Sequence, residues 1–411
     1  MYHDHHFHPF GYASLVNGLE LMDAADLTEV TRRVGARTNE VDGPIIGQRL
    51  NDEGVRELRL PTASEIDDVV SDRPVLLYRY CGHIAVANSA ALALAGIDSD
   101  TPDPKGGSFD RDPRGRPNGI MRETAIRPVS RALAPLVPAP SDHSVLDALA
   151  GLVELGIGSV TGIVSSDEPV WCGVADELDT LVRLAPDLPI DIDVLVIAET
   201  PPGLAEAKDR IEHAEGRIRF HGWKDFSDGS LGGHTAAMYE PFDDRPDTRG
   251  TDRLDRDRAL EMGKTSLELG GTVALHAIGD RANDGVLDVF DSLIDDGADP
   301  ASLRVEHASV LRRTSIRRMA SLGVTASIQP AFLASEADWL EKRLGAGRMH
   351  RAYPFRSLHE AGIRLLGGSD SPVELPDPTV GITAAIDRHG INPDESLTPG
   401  QAQALFARQP V

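Results

Sequence analysis

Cysteine is almost absent: Cys81 and Cys172 are the two in 411 residues. Two cysteines cannot build a disulfide framework, and their scarcity suits a reducing compartment. Lysine is scarce as well, with five at positions 105, 208, 224, 264 and 342. Acidic residues outnumber basic ones, 65 to 41, for a net charge of −24. A surface that acidic repels phosphate backbones and anionic lipid, which argues against nucleic-acid and membrane-surface partners. No apolar run approaches the roughly 18 residues of a transmembrane helix. The first residues, Met-Tyr-His-Asp-His-His-Phe-His, lack the basic and apolar regions of a secretory leader. A cytoplasmic location is therefore expected. Nucleotide-binding glycine motifs and the Gly-x-Ser-x-Gly elbow of serine hydrolases are missing too, so nucleotide cofactors and a serine nucleophile are not indicated.

What the chain does have is a regular alternation. Short β-branched runs at 157–163, 190–196, 218–224, 272–276, 303–307, 324–328 and 363–367 read as strands. Amphipathic stretches at 143–155, 257–269, 282–294 and 313–322 lie between them. Repeated βα units make a parallel sheet, open or closed. Seven such strands are one short of a (β/α)8 TIM-type barrel, and the eighth would have to lie at or before the histidine-rich start. The Pro-, Gly- and Arg-rich stretch 42–140 interrupts the pattern and reads as a large insertion after the first strand, covering the active-site face. The expected domains are 1–41 (first strand and helix), 42–140 (insertion) and 141–411 (the rest of the barrel).

The residues able to carry chemistry sit at strand ends. His6 and His8 are two apart, so on an extended chain both imidazoles face one way and can reach one metal ion; His3 and His5 would face the other. His276, His307, Asp370 and Lys224 each close or follow a predicted strand. In a barrel those ends converge on one mouth. Each taken singly could be a core histidine, a capping aspartate or a packed lysine, but four after four different strands are hard to explain by packing. Imidazoles and carboxylates are ligands for a divalent transition metal.

The chain resembles the amidohydrolase superfamily, in its amidohydrolase 3 branch, which includes N-substituted formamide deformylase-like enzymes. The resemblance rests on Asp4-His5-His6-Phe7-His8, Arg79-Tyr80-Cys81-Gly82-His83 with Asn88-Ser89, and Gly106-Gly107 leading to Glu123. It continues in Lys224-Asp225-Phe226-Ser227-Asp228-Gly229-Ser230-Leu231-Gly232, in His276-Ala277-Ile278-Gly279-Asp280-Arg281-Ala282, in Arg304-Val305-Glu306-His307-Ala308 and in Gly368-Ser369-Asp370-Ser371-Pro372.

The resemblance implies a hydrolase of a non-peptide carbon–nitrogen bond, acting on a small-molecule amide or N-acyl/N-formyl substrate. It implies one or two divalent ions, Zn²⁺ by ligand type, on His6, His8, Lys224, His276, His307 and Asp370. Asp370 would also be the general base, Lys224 a carboxylated bridge between two ions, and His83 a group holding the substrate carbonyl. Lys224 and His83 are equally readable as structural. The alternatives are a mononuclear deaminase of the same superfamily and a truncated, inactive metal-binding scaffold. A homodimer is an assembly frequent among such barrels.

Two departures stand out. Cys81 replaces a carboxylate common in relatives, and His234 stands where they carry arginine or serine. Relatives also have a flanking β-sandwich, expected to be missing or incomplete here, with the first barrel strand mostly absent.

Overall fold

In a computed structural model of the chain, residues 1–137, 141–166 and 177–408 are described; Cys172 lies outside them. The described chain separates into two units.

One unit gathers Met1–Pro9, Leu146–Asp167 and Leu178–Val411. It holds eight parallel strands: β1 (Tyr2–Phe7), β2 (Ile157–Ser165), β3 (Asp191–Ile197), β4 (Ile218–Phe226), β5 (Thr272–Ala277), β6 (Leu303–His307), β7 (Thr325–Ile328) and β8 (Leu365–Gly367). Each pairs with the next in order. β2, β3 and β5 are mostly apolar because helices cover the outer face and side chains fill the interior. The helix Asp280–Asp295 shows how: Val286, Leu287, Phe290 and Leu293 are buried on one face. Its first turn carries Asp280, where a carboxylate suits the positive end of the helix dipole.

The first strand is present, which corrects the expectation that it would be mostly absent. Hydrophobic patterning cannot reveal it, because its inward side chains are histidines and an aspartate with polar partners. It pairs with β2 and meets the last strand's exit. His8 N donates to Ser371 O at 3.0 Å and Asp370 N to His6 O at 2.7 Å. At the other end the chain's last described segment bridges the gap: His3 N donates to Phe406 O and Gly367 N to Leu405 O, both at 2.8 Å. The sheet is thus nearly closed into a (β/α)8 TIM-type barrel.

Glycine is required at two closing points. A Cβ on Gly368 would lie 2.6 Å from His6 N and 2.7 Å from His6 Cβ. A Cβ on Gly222, at φ +149°, would lie 2.2 Å from Thr272 O. Gly222 sits at a register shift against β3, and such bulges re-aim the side chains that follow, here Trp223 and Lys224.

The second unit comprises Phe10–Val145 and Glu168–Glu177. Its six-stranded sheet runs Leu19–Glu20, Ile45–Leu50, Val75–Arg79, Ile84–Ala87, Pro117–Glu123, Gly107–Arg111 in spatial order. Leu27, Val30 and Val34 of the helix Leu27–Arg37 join Ile45, Leu77 and Val86 in its core. Residues 10–41 therefore group with this sheet. Among the described residues no helix is long and apolar enough to cross a membrane.

Candidate metal centre

The cluster is built at the ends of the barrel strands. His6 and His8 flank Phe7 at the exit of β1, and Asp370 follows β8 through Gly368 and Ser369. Asp370 Oδ1 lies 3.2 Å from His6 Nε2 and 3.2 Å from His8 Nε2. One donor atom from each of the three falls within 4.8 Å of the others, and all three residues are buried. His307, ending β6, packs its ring 4.8 Å from that of His6 and 4.4 Å from that of His276, which lies on β5. Four of the predicted histidines and the predicted aspartate are therefore contiguous.

Lys224 is fully buried on β4. Its Nζ sits 3.6 Å over the Phe226 ring and donates to Asp225 O at 3.3 Å. His83 belongs to the second unit, where its Nδ1 lies 3.0 Å from Glu123 Oε2. His234 pairs with Asp244 at 3.0 Å; burial, more than the nearby Arg343 cation, lowers its pKa to about 4.

Three residues that the sequence reading left without a role orient the imidazoles. Glu306 Oε2 lies 2.5 Å from His6 Nδ1. Gln329 Oε1 lies 2.7 Å from His307 Nδ1. Asp228 Oδ1 lies 3.2 Å from His276 Nε2, which also faces Gly229 O at 3.1 Å. Asp228 accepts the amides of Ile278 at 3.0 Å and of Gly279 and Ala237 at 2.8 Å, which pins the loops after β4 and β5 together. The signal available in the sequence was a charged pair, Arg304 and Glu306, on one face of an otherwise apolar strand. Acceptors on one imidazole nitrogen leave the other with its lone pair, the arrangement a metal-ligating histidine needs.

The other two histidines of the first strand go elsewhere. His3 meets Ser159 Oγ at 2.7 Å and Thr161 Oγ1 at 3.0 Å, and His5 meets Ala407 O at 3.0 Å. Asp4 makes the divide by accepting the amides of His6 at 3.1 Å and Ser369 at 3.0 Å. The strand register shifts at this point.

Electrostatics sort the groups by protonation. Burial alone would raise the Asp370 carboxyl, but His6 and the hydrogen bonds from His6 and His8 hold it well below the usual carboxylate range. Burial lowers His307 well below the ordinary histidine value, with His276 and His6 adding to it, and burial also lowers His8. For His6, burial is outweighed by Asp370 and Glu306, and its pKa rises. Burial lowers Lys224 to about 8 against the pull of Glu306 and Asp370. An ionised carboxylate beside imidazoles is the donor set of a divalent transition-metal site, so the residues present fit such an ion. His307, Ala308 and Asp370 also hold positive φ values of 72°, 46° and 57°. Left-handed backbone at non-glycine residues costs energy and gathers at functional sites.

Comparison with known proteins agrees with this geometry. The amidohydrolase family model matches residues 3–410. The chain is 31% identical over 408 residues to YtcJ of Bacillus subtilis (strain 168), a protein named as an amidohydrolase, covering 98% of this chain and 75% of that protein. It is 26% identical over 381 residues to N-substituted formamide deformylase of Arthrobacter pascens, covering 87% of this chain and 67% of that one. A metal-dependent hydrolase from Pyrococcus horikoshii superposes with a TM-score of 0.74 at 28% identity, over 98% of this chain and 78% of its own. The chain belongs to the amidohydrolase family.

Proposed function

We propose that the chain is a metal-dependent hydrolase that cleaves a non-peptide carbon–nitrogen bond in a small molecule, an amide or an N-acyl or N-formyl group. The observation that carries this reading is the convergence of His6, His8 and Asp370 at one barrel mouth. Its likeness to a formamide deformylase supports the choice of bond. His6, His8 and Asp370 would hold a divalent ion, Zn²⁺ by donor type, with His276 and His307 beside them and Lys224 as bridge where two ions are present. When bound, such an ion lowers the pKa of water and polarises a carbonyl.

The chain's own residues supply the proton traffic. Asp370 is ionised, and its Oδ1 faces the two imidazoles. The other carboxylate oxygen takes the proton of the attacking water and delivers it to the leaving nitrogen, which must be protonated to depart. The resemblance implies that His83, whose Nδ1 lies 3.0 Å from Glu123 Oε2 within the second unit, holds the substrate carbonyl.

The amine of Lys224, lying 3.6 Å over the Phe226 ring and donating to Asp225 O, favours one second reading: mononuclear deamination of a ring amine. Metal analysis of the purified protein combined with product analysis tests both. Amine release from N-formyl and N-acyl amines, abolished by a chelator and restored by Zn²⁺, is expected. Ammonia release from ring amines with one ion per chain would establish the second reading. No turnover on either class in the metal-loaded protein would reject both.

A further inference from the structure

We propose that Arg304 and Glu306 form a buried strut that positions His6, so that Glu306 is a positioning residue of the metal centre. The inference rests on the metal-dependent reading above and adds to it. Arg304 and Glu306 alternate along β6 and so share a face. Both are buried, as is His6. Arg304 Nε donates to Glu306 Oε1, and its Nη2 donates to Glu306 Oε2 at 3.1 Å and to His5 O at 2.6 Å. Glu306 Oε2 then meets His6 Nδ1 at 2.5 Å.

Strands β1 and β6 are not neighbours in the sheet, so these contacts cross the barrel interior. One guanidinium thus grips the backbone of β1 at His5 while its carboxylate partner grips the next residue's imidazole. An Nδ1–H held this way makes Nε2 the lone-pair nitrogen, and Nε2 is the atom 3.2 Å from Asp370 Oδ1. A buried ion pair contributes little net stability, because desolvating two charges offsets their attraction. What this pair does produce is a fixed tautomer and a fixed ring direction at His6.

The test compares two double variants, Arg304→Met with Glu306→Gln and Arg304→Met with Glu306→Leu. Both remove both charges and keep similar volume; only glutamine keeps an acceptor for His6 Nδ1–H. The full chain is stripped with a chelator and titrated with Zn²⁺ against a chromophoric competitor, with melting temperatures recorded on the metal-free forms. The leucine variant is expected to bind Zn²⁺ about 10- to 100-fold more weakly than the glutamine variant, the usual effect of losing a ligand's outer partner. Equal affinities would overturn the inference. Glu306→Asp covers the case of a double variant that does not fold: it keeps the charge but withdraws the carboxylate by one methylene, and unchanged Zn²⁺ affinity there would also overturn it. A wild-type chain that binds no Zn²⁺ would instead reject the metal reading itself, and this inference with it.

Discussion

Asp370 touches His6 twice: its amide donates to the His6 carbonyl at 2.7 Å, and its Oδ1 lies 3.2 Å from His6 Nε2. The first contact joins the exit of the last barrel strand to the first. The second is part of the cluster of donor atoms. Closing the barrel and assembling the site are therefore the same event, because the backbone that seals the gap carries the side chains that converge.

Asp370→Asn separates those two roles. The amide bond to His6 survives, and asparagine keeps the shape while losing the charge. With His6 and His8 intact the purified variant should retain its metal. Turnover should fall about 10²- to 10⁴-fold, the range that proton transfer by a positioned group supplies. Parallel metal analysis and rate measurement check this, and undiminished hydrolysis would remove Asp370 from the proton path.

Gly368→Ala probes the same seam by packing. The new methyl would sit 2.6–2.7 Å from His6 N and Cβ, both held in the closing strand. Overpacking of this kind costs about 1–3 kcal/mol. Urea unfolding should show a lower midpoint, and metal content should fall with it because His6 is displaced. Gly347→Ala is the control, since a Cβ there meets nothing within 4 Å; a change within about 0.5 kcal/mol is expected.

How much of this the sequence revealed follows from where the energy lies. Strands such as Asp191–Ile197 and Ile157–Ser165 are stabilised by apolar burial, so their composition announces them. Tyr2–Phe7 is held by polar contacts inside the barrel, and no hydrophobic count can find it. The clustering of His6, His8 and Asp370 was legible because strand ends of a parallel barrel converge on one mouth and these are the imidazoles and carboxylate placed there. Glu306, Asp228 and Gln329 were not, because an outer partner can be any acceptor and its pairing depends on distances across the barrel. The grouping of residues 10–41 with the second sheet was equally hidden: Val30 and Val34 fit an amphipathic helix on either unit, and the contact alone decides.

The buried histidines away from the cluster predict an acid limb. Burial is the main cause that lowers both His3 and His221 to about 3. In the unfolded chain each would titrate near 6.5. Between those values the unfolded state binds protons that the folded state does not, so stability rises with pH and is lost as pH falls from 6.5 toward 3. Each histidine contributes a slope of about 1.4 kcal/mol per pH unit in that window. Urea midpoints between pH 6 and pH 5 should show this, and His3→Gln should flatten the slope by about that amount. An unchanged slope would mean that His3 titrates alike in both states.

Lys224 decides between one ion and two. Carboxylation by carbon dioxide needs the neutral amine. A pKa lowered to about 8 leaves roughly one molecule in ten neutral at pH 7, against fewer than one in a thousand for an ordinary lysine. If Lys224 bridges two ions, Lys224→Ala should lose at least one ion per chain. Wild-type loading should also rise when bicarbonate is supplied at pH 8 rather than pH 7. Urea unfolding of the metal-free Lys224→Ala form, recorded beside the parent, establishes that the variant folds. Metal analysis on that well-folded variant then reads the bridge alone: full occupancy with no response to bicarbonate would reject the bridging role and leave the site mononuclear.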